Sequence, residues 1–349
     1  MKRVVFAVPG SLDTPTGGYA YDKRIIAELR RLDWDVECLD IGKGFPSPDQ
    51  ATRSAARSLL LQVPDGQPIM VDGLALGVLP DVAAEVASRH PLLALVHHPL
   101  ALEWGLPAER ADALHRSEQA ALAVVREVVV TSPTTAKLVA SDYGVPAERI
   151  TVARPGSDPA PRSSGSRSEV PHLLSVGAVV PRKGFDILVA ALATLAELPW
   201  RLTIAGDLTR DPDEAARLDI SITQHKLAGR ISALGAVSSE RLAALYDAAD
   251  LFVLASRFEG YGMAYAEALS HGLPVIGTTA GAIPDTVPLE AGALVCPSDV
   301  DALARALRRV ITDAGLRCQL SDAAFTAARK LPTWRQSGAI FAGALEKLA

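Results

Sequence analysis

The sequence predicts two α/β domains in succession, each a doubly wound, Rossmann-like parallel sheet with helices on both faces. Three observations carry this. Short, near-continuous apolar runs alternate with segments whose apolar residues recur at helical spacing, the pattern of parallel strands buried on both faces. The alternation is interrupted once, by a stretch of Ser, Pro and Gly, and then begins again. A chain of 349 residues also exceeds the usual single domain and can bury a core in each of two.

Taken in order, "RVVFAV" (3–8) is a β-branched strand, broken by the Pro and Gly of "PGSLDTPTGGYAYD". In "KRIIAELRRLDWD", Ile25, Ile26, Leu29 and Leu32 then give a helix. "DVECLDI", "PIMVDGLAL", "LLALVHH" and "EVVVTS" continue the strands, with helices over "LPDVAAEVASRH" and "ERADALHRSEQAALAVV". Residues 159–169, within "SDPAPRSSGSRSE", lack periodicity and read as a linker between a first domain, 1–158, and a second, 170–331. The second half repeats the scheme through "HLLSVGAV", "FDILVAALATLAEL", "WRLTIAGD", "RISALGAV", "ERLAALYDAA", "DLFVLAS", "LPVIGTT" and "GALVCP". Residues 332–349 form a closing helix.

Composition narrows the function. Net charge is -5, and residues 1–165 hold 17 basic against 20 acidic side chains, so bulk charge argues against nucleic acid and gives no sign of a membrane surface. Cys38, Cys296 and Cys318 are odd in number and lack zinc spacing, so they read as small buried hydrophobes of a reducing, cytoplasmic protein. The five apolar residues before Pro9 are too few for a signal peptide, and no apolar run approaches the ~18 residues of a membrane span. There is no phosphate-binding P-loop and no G-x-S-x-G nucleophile elbow.

In open parallel sheets, ligands bind beyond the carboxyl ends of the strands, and two such sheets facing each other place a cleft there. "DLFVLAS" is a strand, "RFEGYG" the loop after it, and "MAYAEALSHG" a helix ending at Gly272. Gly260 and Gly262 let a ligand approach the backbone, and the amides at the helix start, from Tyr261 to Met263, suit a phosphate. Glu267, just over a turn into the helix, is placed to accept from both hydroxyls of a ribose. Glu259, eight positions earlier, is placed to hold hydroxyls of whatever the phosphate carries. The bland alternative is a solvated loop glutamate and a helix surface pair.

This segment resembles the E-x7-E signature of the family 4 retaining glycosyltransferases of the GT-B fold. The resemblance continues through "GLPVIGTTAGAIPDTV" and, upstream, through "SSERLAALYDAADLFVLAS", "VGAVVPRKGFDILVAALATL" and "YGVPAERITVARPGSD". It implies transfer of a hexose, with retention, from a UDP- or GDP-sugar to an acceptor hydroxyl, without a metal or resident cofactor. It also implies a closing helix that returns to the first domain. In "VVPRKGFD", Arg182 and Lys183 are adjacent cations able to clamp a diphosphate, or else a solvated turn. The resemblance places Lys183 at the donor diphosphate. Where many relatives carry an arginine after the preceding glycine, this chain has Ala178, and Arg182 is the candidate substitute.

The resemblance also favours His97 over His98 as the cleft histidine that supports the departing phosphate, and places Gly17 and Gly18 in a glycine loop near the donor. His98, Tyr19, Tyr21 and Trp104 are candidate acceptor contacts or, equally, parts of the packed core; the acceptor itself, a small metabolite, glycan or natural product, is not legible, nor is the oligomeric state. The Asp-x-Asp strings at 33/35, 211/213 and 299/301 follow no buried strand and read as accidental. Two other functions fit the fold: a nucleotide-sugar epimerase, for which first-domain acids such as Glu103 are sparse, and a non-catalytic nucleotide-binding module.

Overall fold

The computed structural model describes residues 2–14 and 16–348. The chain divides into two compact units, residues 1–156 with 332–349, and residues 157–331.

The first unit is built on six parallel strands: β1 (Lys2–Val8), β2 (Trp34–Asp40), β3 (Ile69–Asp72), β4 (Leu92–Val96), β5 (Glu127–Val130) and β6 (Ile150–Val152). They lie in the order β2-β1-β3-β4-β5-β6, so chain direction across the sheet reverses between β1 and β3. Val and Leu dominate β4 and β5, all of whose residues are buried, because helices cover both faces. The closing helix Trp334–Glu346 packs on helix Gly17–Arg31 in this unit. Its start is fixed by a capping box: the Thr333 side chain accepts from the Gln336 amide while Gln336 accepts from that of Thr333.

The second unit repeats the scheme with β7 (His172–Val176), β8 (Arg201–Ala205), β9 (Ile231–Ala233), β10 (Leu251–Val253), β11 (Val275–Thr278) and β12 (Gly292–Val295). The order is β12-β11-β10-β7-β8-β9, so β7 and β10 are neighbours and the direction reverses between them. A core of Leu, Ile, Val and Phe, including Phe185, Phe252, Leu269 and Ile276, fills the space between sheet and helices.

The stretch 159–169, expected as a linker, is fastened to the second unit. The Ser163 amide donates to the His271 carbonyl, its hydroxyl bonds the Asp247 and Ala249 carbonyls, and Asp250 accepts from the Ser166 amide. Ser, Pro and Gly signal irregular backbone, which side-chain hydrogen bonds can hold as firmly as a ladder. The reading of the cysteines as buried is corrected: all three are exposed. Cys38 sits on the edge strand β2 and Cys296 just past the edge strand β12, where one flank of the strand faces water. Among the described residues no helix is long and apolar enough to cross a membrane.

Candidate functional site

In the second unit the loops after β7 and β10 emerge side by side at the point where strand order reverses, the place where such sheets bind ligands. The loop after β7 carries Arg182 and Lys183 in a single 3-10 turn, Pro181–Lys183, closed by Gly184 at φ +66°. A Cβ on Gly184 would lie 2.1 Å from the Ala255 carbonyl oxygen, so only glycine lets the two loops touch. They are also tied by the Arg257 amide, which donates to the Arg182 carbonyl at 2.7 Å.

That contact places Glu259 between the two cations. Lys183 Nζ donates to Oε1 at 2.6 Å, Arg182 Nη1 to Oε2 at 3.2 Å, and the Ser256 hydroxyl to Oε1 at 2.6 Å. Arg182 Nη1 also donates to the Phe258 carbonyl at 2.8 Å. Burial would push the Glu259 carboxyl up, but the charges and hydrogen bonds of Lys183, Arg182 and Ser256 outweigh it and hold the group down at about 2. Glu259 is therefore an ionised carboxylate, and with its partners it forms a cluster of net charge +1. Its backbone is fixed as well: the Glu259 carbonyl accepts from the Ala282 amide at 2.8 Å. Gly281, at φ +56°, passes so close that a Cβ would stand 2.3 Å from that carbonyl oxygen.

Gly260 and Tyr261 are buried, and the Tyr261 carbonyl accepts from the Thr286 hydroxyl at 3.0 Å. Gly262, at φ +88°, is the N-cap of helix Met263–Ser270, and no side chain caps it. Gly272 ends the turn at φ +67°. Glu267 Oε2 accepts from the Tyr246 hydroxyl at 2.9 Å, and the Tyr246 ring stacks on His271 with centroids 4.9 Å apart. Burial pushes the Glu267 carboxyl up, and the Tyr246 hydrogen bond opposes that shift. Tyr246 is a residue the sequence reading passed over, although it stands in the quoted "ERLAALYDAA".

In the first unit Gly17 and Gly18 form the first turn of helix Gly17–Arg31 rather than a free loop, with Thr16 as N-cap accepting from the Tyr19 amide. A Cβ on Gly18 would lie 3.4 Å from His97 Cδ2, so this glycine brings the helix start against the imidazole. His97 follows β4 and is 22% exposed; its Nε2 lies 3.1 Å from Asp22 Oδ1 and 3.8 Å from Asp72 Oδ2. Asp22 and Asp72, both buried, were not foreseen; an Asp closing the apolar strand "PIMVD" was the available signal. These three residues are also the one group among the described residues that brings ligand-type atoms together, within 4.8 Å of one another.

His98 turns to Glu103, Nε2 to Oε2 at 3.4 Å, and Trp104 is 49% exposed. The Tyr19 hydroxyl donates to the Pro9 carbonyl. Of the two roles open to Tyr21, the structure gives it the core one: it is 1% exposed, donates to the Ala153 carbonyl at 2.8 Å and meets His97 edge-on. Of the Asp-x-Asp strings, Asp211 and Asp299 are helix N-caps, and Asp33 sits in a left-handed turn.

Residues 157–327 match the family model described as "Glycosyl transferases group 1". An MMP alpha-(1->4)-mannosyltransferase of Mycolicibacterium hassiacum is 28% identical over 330 residues, 88% of this chain and 77% of that protein. A mannosylfructose-phosphate synthase of Agrobacterium fabrum is 30% identical across 59% of this chain, and a D-inositol 3-phosphate glycosyltransferase of Xylanimonas cellulosilytica is 30% identical across 64%. These last two matches span only 50% and 57% of the relatives' own lengths. Among solved structures, sucrose-phosphate synthase from Thermosynechococcus elongatus superposes with a TM-score of 0.84 at 20% identity over 98% of both chains. HepE of Anabaena does so with a TM-score of 0.76 at 20% identity, over 99% of this chain and 100% of its own. Likeness at that identity is likeness of fold.

Proposed function

We propose that this chain, which belongs to the group 1 glycosyltransferases and has the GT-B fold, moves a hexose from a UDP- or GDP-sugar to an acceptor hydroxyl with retention of configuration. The observation that carries the reading is Glu259 held between Lys183 and Arg182 at the β7/β10 reversal, beside the uncapped start of the helix bearing Glu267. A cluster of net charge +1 next to a helix start that no side chain caps is a seat for a diphosphate. Glu267, with Oε2 held by Tyr246, presents its second oxygen to ribose hydroxyls, and Glu259 accepts from hydroxyls of the transferred sugar. Lys183, Arg182 and the helix amides of Gly262 and Met263 stabilise the departing diphosphate, which is the work a metal would otherwise do, so transfer proceeds in EDTA. In the first unit His97, with Gly18 beside it, donates to an anionic oxygen of a substrate, and His98 and Trp104 contact the acceptor. The mannosyl activities in the names of two relatives support a hexose.

The test is thermal stabilisation by UDP, GDP and ADP and their hexose conjugates, on the native chain and on Glu267→Ala. A shift for one base, lost in the variant, is expected and identifies the donor. No shift with any nucleotide sinks both this reading and that of a binding module. Conversion of the donor sugar without acceptor would favour the epimerase.

A further inference from the structure

The first unit sets two buried aspartates against the part-buried His97 at its own strand-order reversal, between β1 and β3, and the mechanism above uses only the histidine. Asp22, from the helix after β1, is fully buried; Asp72, closing β3, is 2% exposed; His97 follows β4. Asp72 Oδ1 is committed to the Leu74 amide at 2.7 Å, and its Oδ2 faces the imidazole. Asp22 Oδ1 takes His97 Nε2, and Asp22 Oδ2 is buried with no hydrogen-bond partner among the described residues. Two carboxylates beside one imidazole leave net negative charge in an apolar site even if the imidazole is protonated. An imidazolium together with one proton on Asp72 makes the cluster neutral.

We propose that Asp22 and Asp72 together hold His97 as an imidazolium whose Nε2–H donates to Asp22 Oδ1 and whose Nδ1–H is presented to an anionic oxygen of a bound ligand. His97 then acts as a fixed cationic donor rather than a base, and the two aspartates are positioning residues. The electrostatics agree. Burial, then the charge of Asp22, push Asp72 up to about 7. Burial opposes a charged His97, but the Asp22 and Asp72 carboxylates overcome it and raise the ring above its ordinary value. The other groups facing the ring do not compete for this role: Tyr21, edge-on, is kept neutral by burial and by Asp22, and His98 turns to Glu103. The start of helix Gly17–Arg31, brought against the ring at Gly18, disfavours a cation there, which is why a single carboxylate would be a weaker anchor. Only that the anion belongs to a substrate of sugar transfer rests on the glycosyl-transfer reading.

The experiment follows the imidazole nitrogens of histidine-labelled, full-length protein by NMR across pH 5 to 9, with His97 assigned by its loss in His97→Gln. His97 is expected to stay doubly protonated well above its ordinary midpoint of about 6.5. Asp22→Asn should lower that midpoint by about one pH unit or more, and Asp22→Glu should restore it. The high-pH limb of kcat/KM should move down with it. A His97 midpoint at or below the ordinary value in the native protein overturns the proposal, as does one unmoved in both Asp22→Asn and Asp72→Asn. So does a thermal shift with Zn2+ or Mn2+ that Asp22→Asn abolishes, because a metal would then neutralise the cluster. The native titration decides even if a variant fails to fold. Failure of the donor reading shows separately, as no response to nucleotides.

Discussion

Replacing Glu259 by Gln removes one negative charge from between two cations while keeping shape and burial. Its carboxyl is held at about 2 instead of an ordinary 4.5, and that difference corresponds to about 3 kcal/mol of stability at pH 7. Because the folded value is depressed, this contribution is complete above about pH 4.5 and is lost as pH falls through about 2. The stability gap between native protein and Glu259→Gln should therefore be about 3 kcal/mol at pH 7, about 1.4 kcal/mol at pH 3, and vanish below. Urea unfolding of both proteins from pH 3 to 7 measures it. At neutral pH the second unit of the variant should melt about 6–12 °C lower. A gap that does not change with pH, or a melting difference within about 1 °C, would refute the picture of an ionised Glu259 bridging Arg182 and Lys183.

The same geometry makes two further predictions. Tyr246→Phe removes the donor that steadies Glu267, so affinity for a nucleoside diphosphate should fall about 3- to 10-fold while a 2′,3′-dideoxy analogue is unaffected. Without that hydrogen bond the Glu267 carboxyl moves higher still, so binding should be lost at a higher pH in the variant as pH falls, which isothermal titration calorimetry at several pH values checks. Gly281→Ala combines a left-handed backbone with a Cβ 2.3 Å from the Glu259 carbonyl, and should destabilise by about 2–4 kcal/mol and impair nucleotide binding by shifting Glu259. An alanine variant with native melting and binding would show that the 281 turn does not position the carboxylate.

Elements and their order were legible in the sequence because strand and helix periodicities are local. "DLFVLAS" had to be a buried strand, and "RFEGYG" the loop beyond it. Gly272 was legible as the end of the helix that follows, and its left-handed backbone agrees. The eight-residue step from Glu259 to Glu267 was legible for the same reason. What the sequence could not decide was which distant groups meet. Glu259 pairs with Lys183 across 76 positions only because β7 and β10 are neighbours, and strand order leaves no periodic trace. Asp22, Asp72 and His97 each end or follow a different strand, and only the β1-β3-β4 order makes them one cluster. The exposure of Cys38 and Cys296 went the same way, because average burial says nothing of a sheet edge. Local chemistry chose the parts, and the packing of the sheets chose their partners.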